Sequence, residues 1–168
     1  MYEKFGECDS FEELNRAAAA QKAEGDEEAL FALAQENGLD KEDVEDYMNG
    51  IVEELATVSM AALGKLKLEK EDLKLGGVLS DWVDELMEMC MESQELAAAV
   101  RKKGKDLAGY IAATADSGWK HRVIVDKRIV NKTKEVKKII GTHEFAIGIP
   151  DRKTRRELAR AYYLEVTE

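Results

Sequence analysis

Proline is almost absent from this chain. Pro150 is the only one in 168 residues, so nothing obliges the first 149 residues to break a helix. Cysteine is scarce as well. Cys8 and Cys90 match no metal or redox spacing and read as reduced thiols of a cytoplasmic protein. The two histidines, His121 and His143, do not stand three residues after a glutamate. The Glu-x-x-His pattern of a carboxylate-bridged metal pair is therefore missing, and the cysteines and histidines together show no zinc spacing. No apolar run approaches 18 residues, and the opening "MYEKFGECDS" is polar and acidic, so neither a membrane span nor a leader is expected. Gly-x-Ser-x-Gly is absent, and "KKGKDLAG" lacks the spacing of a phosphate-binding loop. "DKEDVEDYMNGIVEE" resembles a calcium loop only in its acids. Counted from Asp40, Val44 holds the fifth position and Glu45 the sixth, where an oxygen ligand and glycine are required. The expectation is a protein with no cofactor, no metal and no catalytic residues, and not an enzyme.

Charge and helix formers are abundant. Charged residues make up 36% of the chain, hydrophobic residues 45%, and Ala, Glu, Lys and Leu dominate. The length suits one good core, with room for a small subdomain. The charge is divided along the chain. Residues 1–100 hold 8 Lys/Arg against 26 Asp/Glu, and residues 101–168 hold 17 against 9. An acidic helical lobe over 1–100 and a basic α+β lobe over 101–168, in one compact chain, are expected. Such a chain pairs its halves, or offers unlike faces to its partners.

Helix signals recur. Ser10 with Glu13 forms a capping box that leads a helix to about Lys22. Asp26 caps a second helix, which Gly38 ends, and Asp40 with Asp43 caps a third. "GIVEELATVSMAALGKL" reads as a longer helix ending near Gly64, followed by a charged connection or short helix to Gly77. An acidic helix spans about 79–91. Ser93 caps the next, Gly104 separates it from a helix through "KDLAGYIAATADSGWKHR", and Asp151 caps the last. Between them the texture turns to Val, Ile and Thr. A small hairpin is predicted over Val130–Ile149, with "VDKRIV" open to a helical turn. The fold class is mainly α: a bundle of short and medium helices with a small β-hairpin near the C-terminus.

Two charged faces stand out. On a helix, Asp81, Asp84, Glu85, Glu88 and Glu92 fall within an arc of about 100°. Val83, Leu86, Met87 and Cys90 lie opposite. Acids at spacings of three and four repel by roughly 0.2–0.5 kcal/mol per pair, and no cation is interleaved. The row is either a plain solvated face or a surface for a basic partner, and its charges are expected to be dispensable for folding. Acid–base catalysis would need one of these carboxylates desolvated, which an exposed ridge does not provide. On the last helix Arg152, Arg155, Arg156 and Arg160 share an arc beside Tyr163. "RKKGK" and "KTKEVKK" add further cations that could grip phosphates, or that neutralise the acidic half within the chain or across a dimer.

"RKKGKDLAGYIAATADSG" followed by "IPDRKTRRELARAYYLE", closing on Tyr162, Tyr163 and Glu165, resembles the PcfK-like proteins of Gram-positive conjugative elements, over about residues 100–166. The resemblance implies an accessory or counter-defence protein of a mobile element, and some PcfK-like proteins are similar to anti-CRISPR inhibitors. The expected function is non-enzymatic inhibition of a CRISPR-associated nuclease. The acidic helices, through Asp81, Asp84, Glu85, Glu88 and Glu92, would meet the Lys/Arg-lined channel such a nuclease uses for nucleic acid. The alternative is a nucleic-acid-binding accessory protein of conjugation or replication, using Arg152, Arg155, Arg156 and Arg160. The expected partner is a basic nucleic-acid-binding protein in the cytoplasm of a bacterial host. A homodimer is an open possibility, and no membrane is involved.

Overall fold

A computed structural model of the chain describes residues 4–165. Ser10 accepts a hydrogen bond from the Glu13 N–H and starts α1 (Phe11–Glu24). Asp26 does the same for α2 (Glu27–Glu36) through the Ala29 N–H, and the Asp43 carboxylate accepts the Asp40 N–H at the head of α3 (Lys41–Met48). These three starts follow the sequence signals.

The next helix does not. It was expected from Gly50 to about Gly64, but α4 runs Val58–Asp72. Gly50 takes φ +71° and ends the α3 segment, and the chain stays non-helical until Thr57, whose hydroxyl accepts the Met60 N–H. Gly64 does not end the helix. It sits inside it because a side chain there would overlap the Asn37 carbonyl, so this glycine serves close approach and not termination. The first part of the charged connection or short helix, up to Asp72, is thus the end of α4, and the rest up to Gly77 is non-helical.

After α4 come α5 (Val78–Glu92), α6 (Gln94–Arg101), capped by Ser93, and α7 (Leu107–Lys120), capped by Asp106. The hairpin exists but lies further apart in sequence than expected. β1 (Val123–Ile124) pairs antiparallel with β2 (Ala146–Ile147), in register Val123 to Ile147 and Ile124 to Ala146. Two short helices lie between them: α8 (Lys127–Val130), which Asp126 caps through the Arg128 N–H, and α9 (Glu135–Ile140). The chain closes with α10 (Arg152–Leu164), capped by Asp151. The architecture is mainly α with one small two-stranded sheet.

Two apolar clusters form the core. The first joins α1, α2 and α3 to the start of α4, with Leu14, Leu30, Leu33, Val44, Tyr47 and Ala61. The second joins α4 to α5, α6, α7 and α10, with Leu66, Val83, Leu86, Cys90, Leu96, Leu107, Tyr110 and Tyr163. Each fully buried Leu contributes roughly 1.5–3 kcal/mol. The two clusters meet along α4, where Ala61 faces one and Ala62 the other. The apolar packing therefore divides at α4, while the charge changes sign near residue 100.

Two buried cations connect the halves of the sequence. Lys65 Nζ donates to the carbonyls of Lys102 (2.9 Å) and Lys105 (2.7 Å) and pairs with Glu7 at 3.0 Å. Arg101 donates to the Cys8 carbonyl (3.2 Å) and to Asn37 Oδ1 (2.7 Å). Burial lifts Glu69, beside Lys65, above the ordinary carboxylate range, and the Lys65 charge and the Leu107 N–H pull it part of the way back.

Candidate partner-binding surfaces

The five ridge acids do share one face of α5, but that face is not open. Alternating acidic and apolar positions make α5 strongly amphipathic, and α10 crosses its acidic side. Tyr163 and Ala159 of α10 enter the same cluster as Leu86 and Cys90, which sets the two helices side by side. The arginines of α10 then lie over the acids. Glu85 Oε2 receives Arg155 at 2.7 Å and Glu85 Oε1 receives Arg152 at 3.2 Å. Arg152 also reaches Glu88 at 3.2 Å, Arg156 pairs with Glu92, and Lys70 of α4 pairs with Asp84.

This corrects the reading of the ridge as exposed and dispensable for folding at one position, Glu85, while Asp81, Asp84, Glu88 and Glu92 are exposed as expected. Glu85 is only 8% exposed and is a buried charge. The cations missing from α5 arrive from a helix more than 60 residues later, a distance that helix periodicity cannot span. Asp81 is exposed and, among the described residues, has no ion pair. Arg160 is likewise exposed and outside any ion pair among the described residues. The acidic row and the arginine row, read from sequence as rival binding faces, are largely one interlocking seam. Arg155 is held further by the Pro150 carbonyl (2.6 Å) and lies 6.0 Å from the Trp82 ring centroid.

Two charged surfaces remain outside this seam. The first is acidic. Residues 4–57 hold 16 Asp/Glu and 4 Lys/Arg. Glu24, Glu27, Glu28, Glu42, Asp46 and Glu53 are exposed, with no ion pair among the described residues. Of these, Glu27, Glu28 and Glu42 lie in the first turns of α2 and α3, where acids stabilise helix N-termini as well as offering charge to solvent. A 370 Å³ cleft between α3 and the start of α4 belongs to this surface. Asp43, Asp46, Glu53 and Glu54 line it over Leu55 and Met60. The second surface is a basic arm, residues 119–149, with 8 Lys/Arg against 3 Asp/Glu. Val130 is its only buried residue, and no residue of the arm joins either apolar cluster. At its base Gly118 and Gly148 touch backbone to backbone, and a side chain on either would overlap the other's carbonyl.

Within the arm the sequence marks "KTKEVKK" as cationic and the Val, Ile and Thr texture around it as a hairpin, but not as a contact surface. The available signal was the run of Val and Ile from Val123 to Ile149, placed among cations instead of among core residues. The acidic surface is legible as composition, but the sequence pattern centres it on α5.

Burial pushes the Cys90 thiol up to about 12 and raises Cys8 as well, which disfavours the thiolate form of both at neutral pH. Among the described residues no group of three or more His, Cys, Asp or Glu is arranged to hold a metal ion, and no helix is long and apolar enough to cross a membrane. A groove of 930 Å³ lies between the α2–α3 turn, α4 and α5. Leu39, Met60, Leu63, Leu75 and Met87 line it, and the Lys67–Asp40 and Lys70–Asp84 pairs stand among its lining residues. No protein-family model, curated protein or solved structure matches the chain.

Proposed function

We propose that this protein is a non-enzymatic inhibitor of a CRISPR-associated nuclease, carried by a mobile element and acting in the host cytoplasm. Its acidic helices occupy a Lys/Arg-lined nucleic-acid channel. The observation that supports this reading is the α1–α3 surface. Glu24, Glu27, Glu28, Glu42 and Asp46 are fixed on short, capped helices and stand outside ion pairs among the described residues, so their charge is available to a partner. A rigid display of negative charge competes for a phosphate-binding channel by the same Coulombic steering that brings in nucleic acid. The ridge takes a smaller part: Asp81 adds one solvent-facing charge, while Asp84, Glu85, Glu88 and Glu92 are engaged within the chain. The resemblance of residues 100–166 to PcfK-like proteins supports the same setting.

The test is target cleavage by a panel of purified RNA-guided nucleases with increasing amounts of this protein. Inhibition is expected when the protein is added before DNA, and it should weaken as salt rises. The variant Glu24→Lys/Glu42→Lys should lose most of the association rate with its fold intact, and Asp81→Lys should lose less. Full inhibition by the double variant, or failure of the wild type against every nuclease tested, would refute the reading.

The second reading is a nucleic-acid-binding accessory protein. It is supported by the basic arm and Arg160, since Arg152, Arg155 and Arg156 are engaged with α5. Tight, salt-sensitive binding to plain duplex DNA would favour it.

A further inference from the structure

We infer that the basic arm is a docking element for a second copy of this chain, and that it seats in the acidic cleft between α3 and the start of α4. The arm is built unlike the rest of the molecule. Seven of the twelve large hydrophobic residues that stand exposed among the described residues lie in residues 119–149. Ile139 is 83% exposed, Val123 70% and Ile129 59%. Isolated apolar residues on a surface are ordinary, but a concentration of them on one projection marks a contact surface. Local pairs occupy two of its cations, Arg128 with Asp126 and Lys138 with Glu135. Six Lys/Arg side chains remain, so the covering surface must be both apolar and acidic.

The kind of apolar residue selects the partner. Single strands are gripped by aromatic faces on which bases stack. The arm exposes one large aromatic, Trp119, and Arg122 already lies over its ring at 4.2 Å. The remaining exposed apolar side chains are branched aliphatics, which pack on protein. The chain itself carries a matching surface. Four carboxylates line the α3–α4 cleft with no cation among them, Leu55 and Met60 form its apolar lining, and Ile51 and Val52 stand exposed beside it. Each surface combines aliphatic side chains with charge of one sign, and the signs are opposite.

The net charge of −10 on each copy opposes approach at long range. At physiological salt that repulsion is screened beyond roughly 8 Å, and the local complementarity governs contact. The contact is heterologous, arm to cleft, and it closes into a two-fold pair when both arms exchange. Self-association is a property of the purified chain alone and stands or falls apart from the nuclease reading.

Sedimentation velocity on the full chain tests it. The wild type should self-associate in a concentration- and salt-dependent way. Lys137→Glu/Ile139→Glu in the arm and Asp46→Lys/Glu53→Lys in the cleft should each raise the dissociation constant by about tenfold or more. Both variants should keep wild-type helicity, since these side chains lie outside both apolar clusters. Mixing the two should restore association, because the intact arm of one meets the intact cleft of the other. A wild type that stays monomeric at physiological salt would overturn the inference. So would association that neither variant weakens, or a mixture no more associated than its parts. A monomeric chain whose arm variant instead loses binding to single- or double-stranded DNA would assign the arm to nucleic acid and overturn it equally.

Discussion

Arg155→Met isolates what the α5–α10 seam contributes. In the native fold Glu85 is nearly excluded from solvent, and its two oxygens are divided between Arg155, itself only 17% exposed at the side chain, and Arg152, which is 65% exposed. Removing Arg155 leaves a buried carboxylate with one solvent-screened partner. Breaking a buried pair from one side costs about 3–5 kcal/mol, and the surviving Arg152 contact places this case at the lower end. Removing Arg152 instead takes away a mostly exposed cation and should cost ~0–1 kcal/mol. For a chain of this size each kcal/mol moves Tm by about 2–4 °C, so Arg155→Met should melt roughly 6–12 °C lower and Arg152→Met within about 4 °C of wild type. The pair Glu85→Leu/Arg155→Met removes both charges beside Trp82 and Leu86, and should recover most of the loss. Thermal and urea unfolding by circular dichroism give all three values. Equal, small losses for the two arginine variants would refute the reasoning. They would mean that Glu85 is adequately hydrated and that α10 is held by Ala159 and Tyr163 alone. The same physics makes Asp84→Lys/Glu85→Lys/Glu88→Lys a poor probe of partner binding, because it replaces the buried carboxylate with an ammonium facing two guanidinium groups.

Two further outcomes are expected. Both thiols should resist labelling by a disulfide reagent in the native protein and react only on unfolding, since burial raises Cys8 and lifts Cys90 to about 12; rapid native labelling of Cys90 would contradict its place in the second cluster. Glu69 is raised in the folded state, so its contribution is full below its unfolded pKa and is lost as pH rises through the folded value. The stability of the wild type relative to Glu69→Gln should therefore increase on acidifying from neutral pH to about 4, and a flat or opposite difference in urea midpoints would place Glu69 in solvent.

What the sequence determined by itself was local. Ser10, Asp26, Ser93 and Asp151 start helices because a short polar side chain can satisfy an orphan N–H two or three residues on, and at Asp40 the Asp43 carboxylate accepts the cap's own N–H; that chemistry needs no distant partner. The placement of five acids on one arc of α5 followed from helix periodicity alone. Tertiary structure decided what those residues were for. Gly64 looked like a helix stop until the Asn37 carbonyl packed against it. Val123 and Ile147 pair across more than twenty residues, which no short-range alternation marks. The acidic row became half of a seam because Tyr163 and Ala159 pack α10 against α5 and bring Arg152 and Arg155 within reach of Glu85. Coulombic pairing depends on distance in space, and a linear sequence records that distance only within a few helical turns.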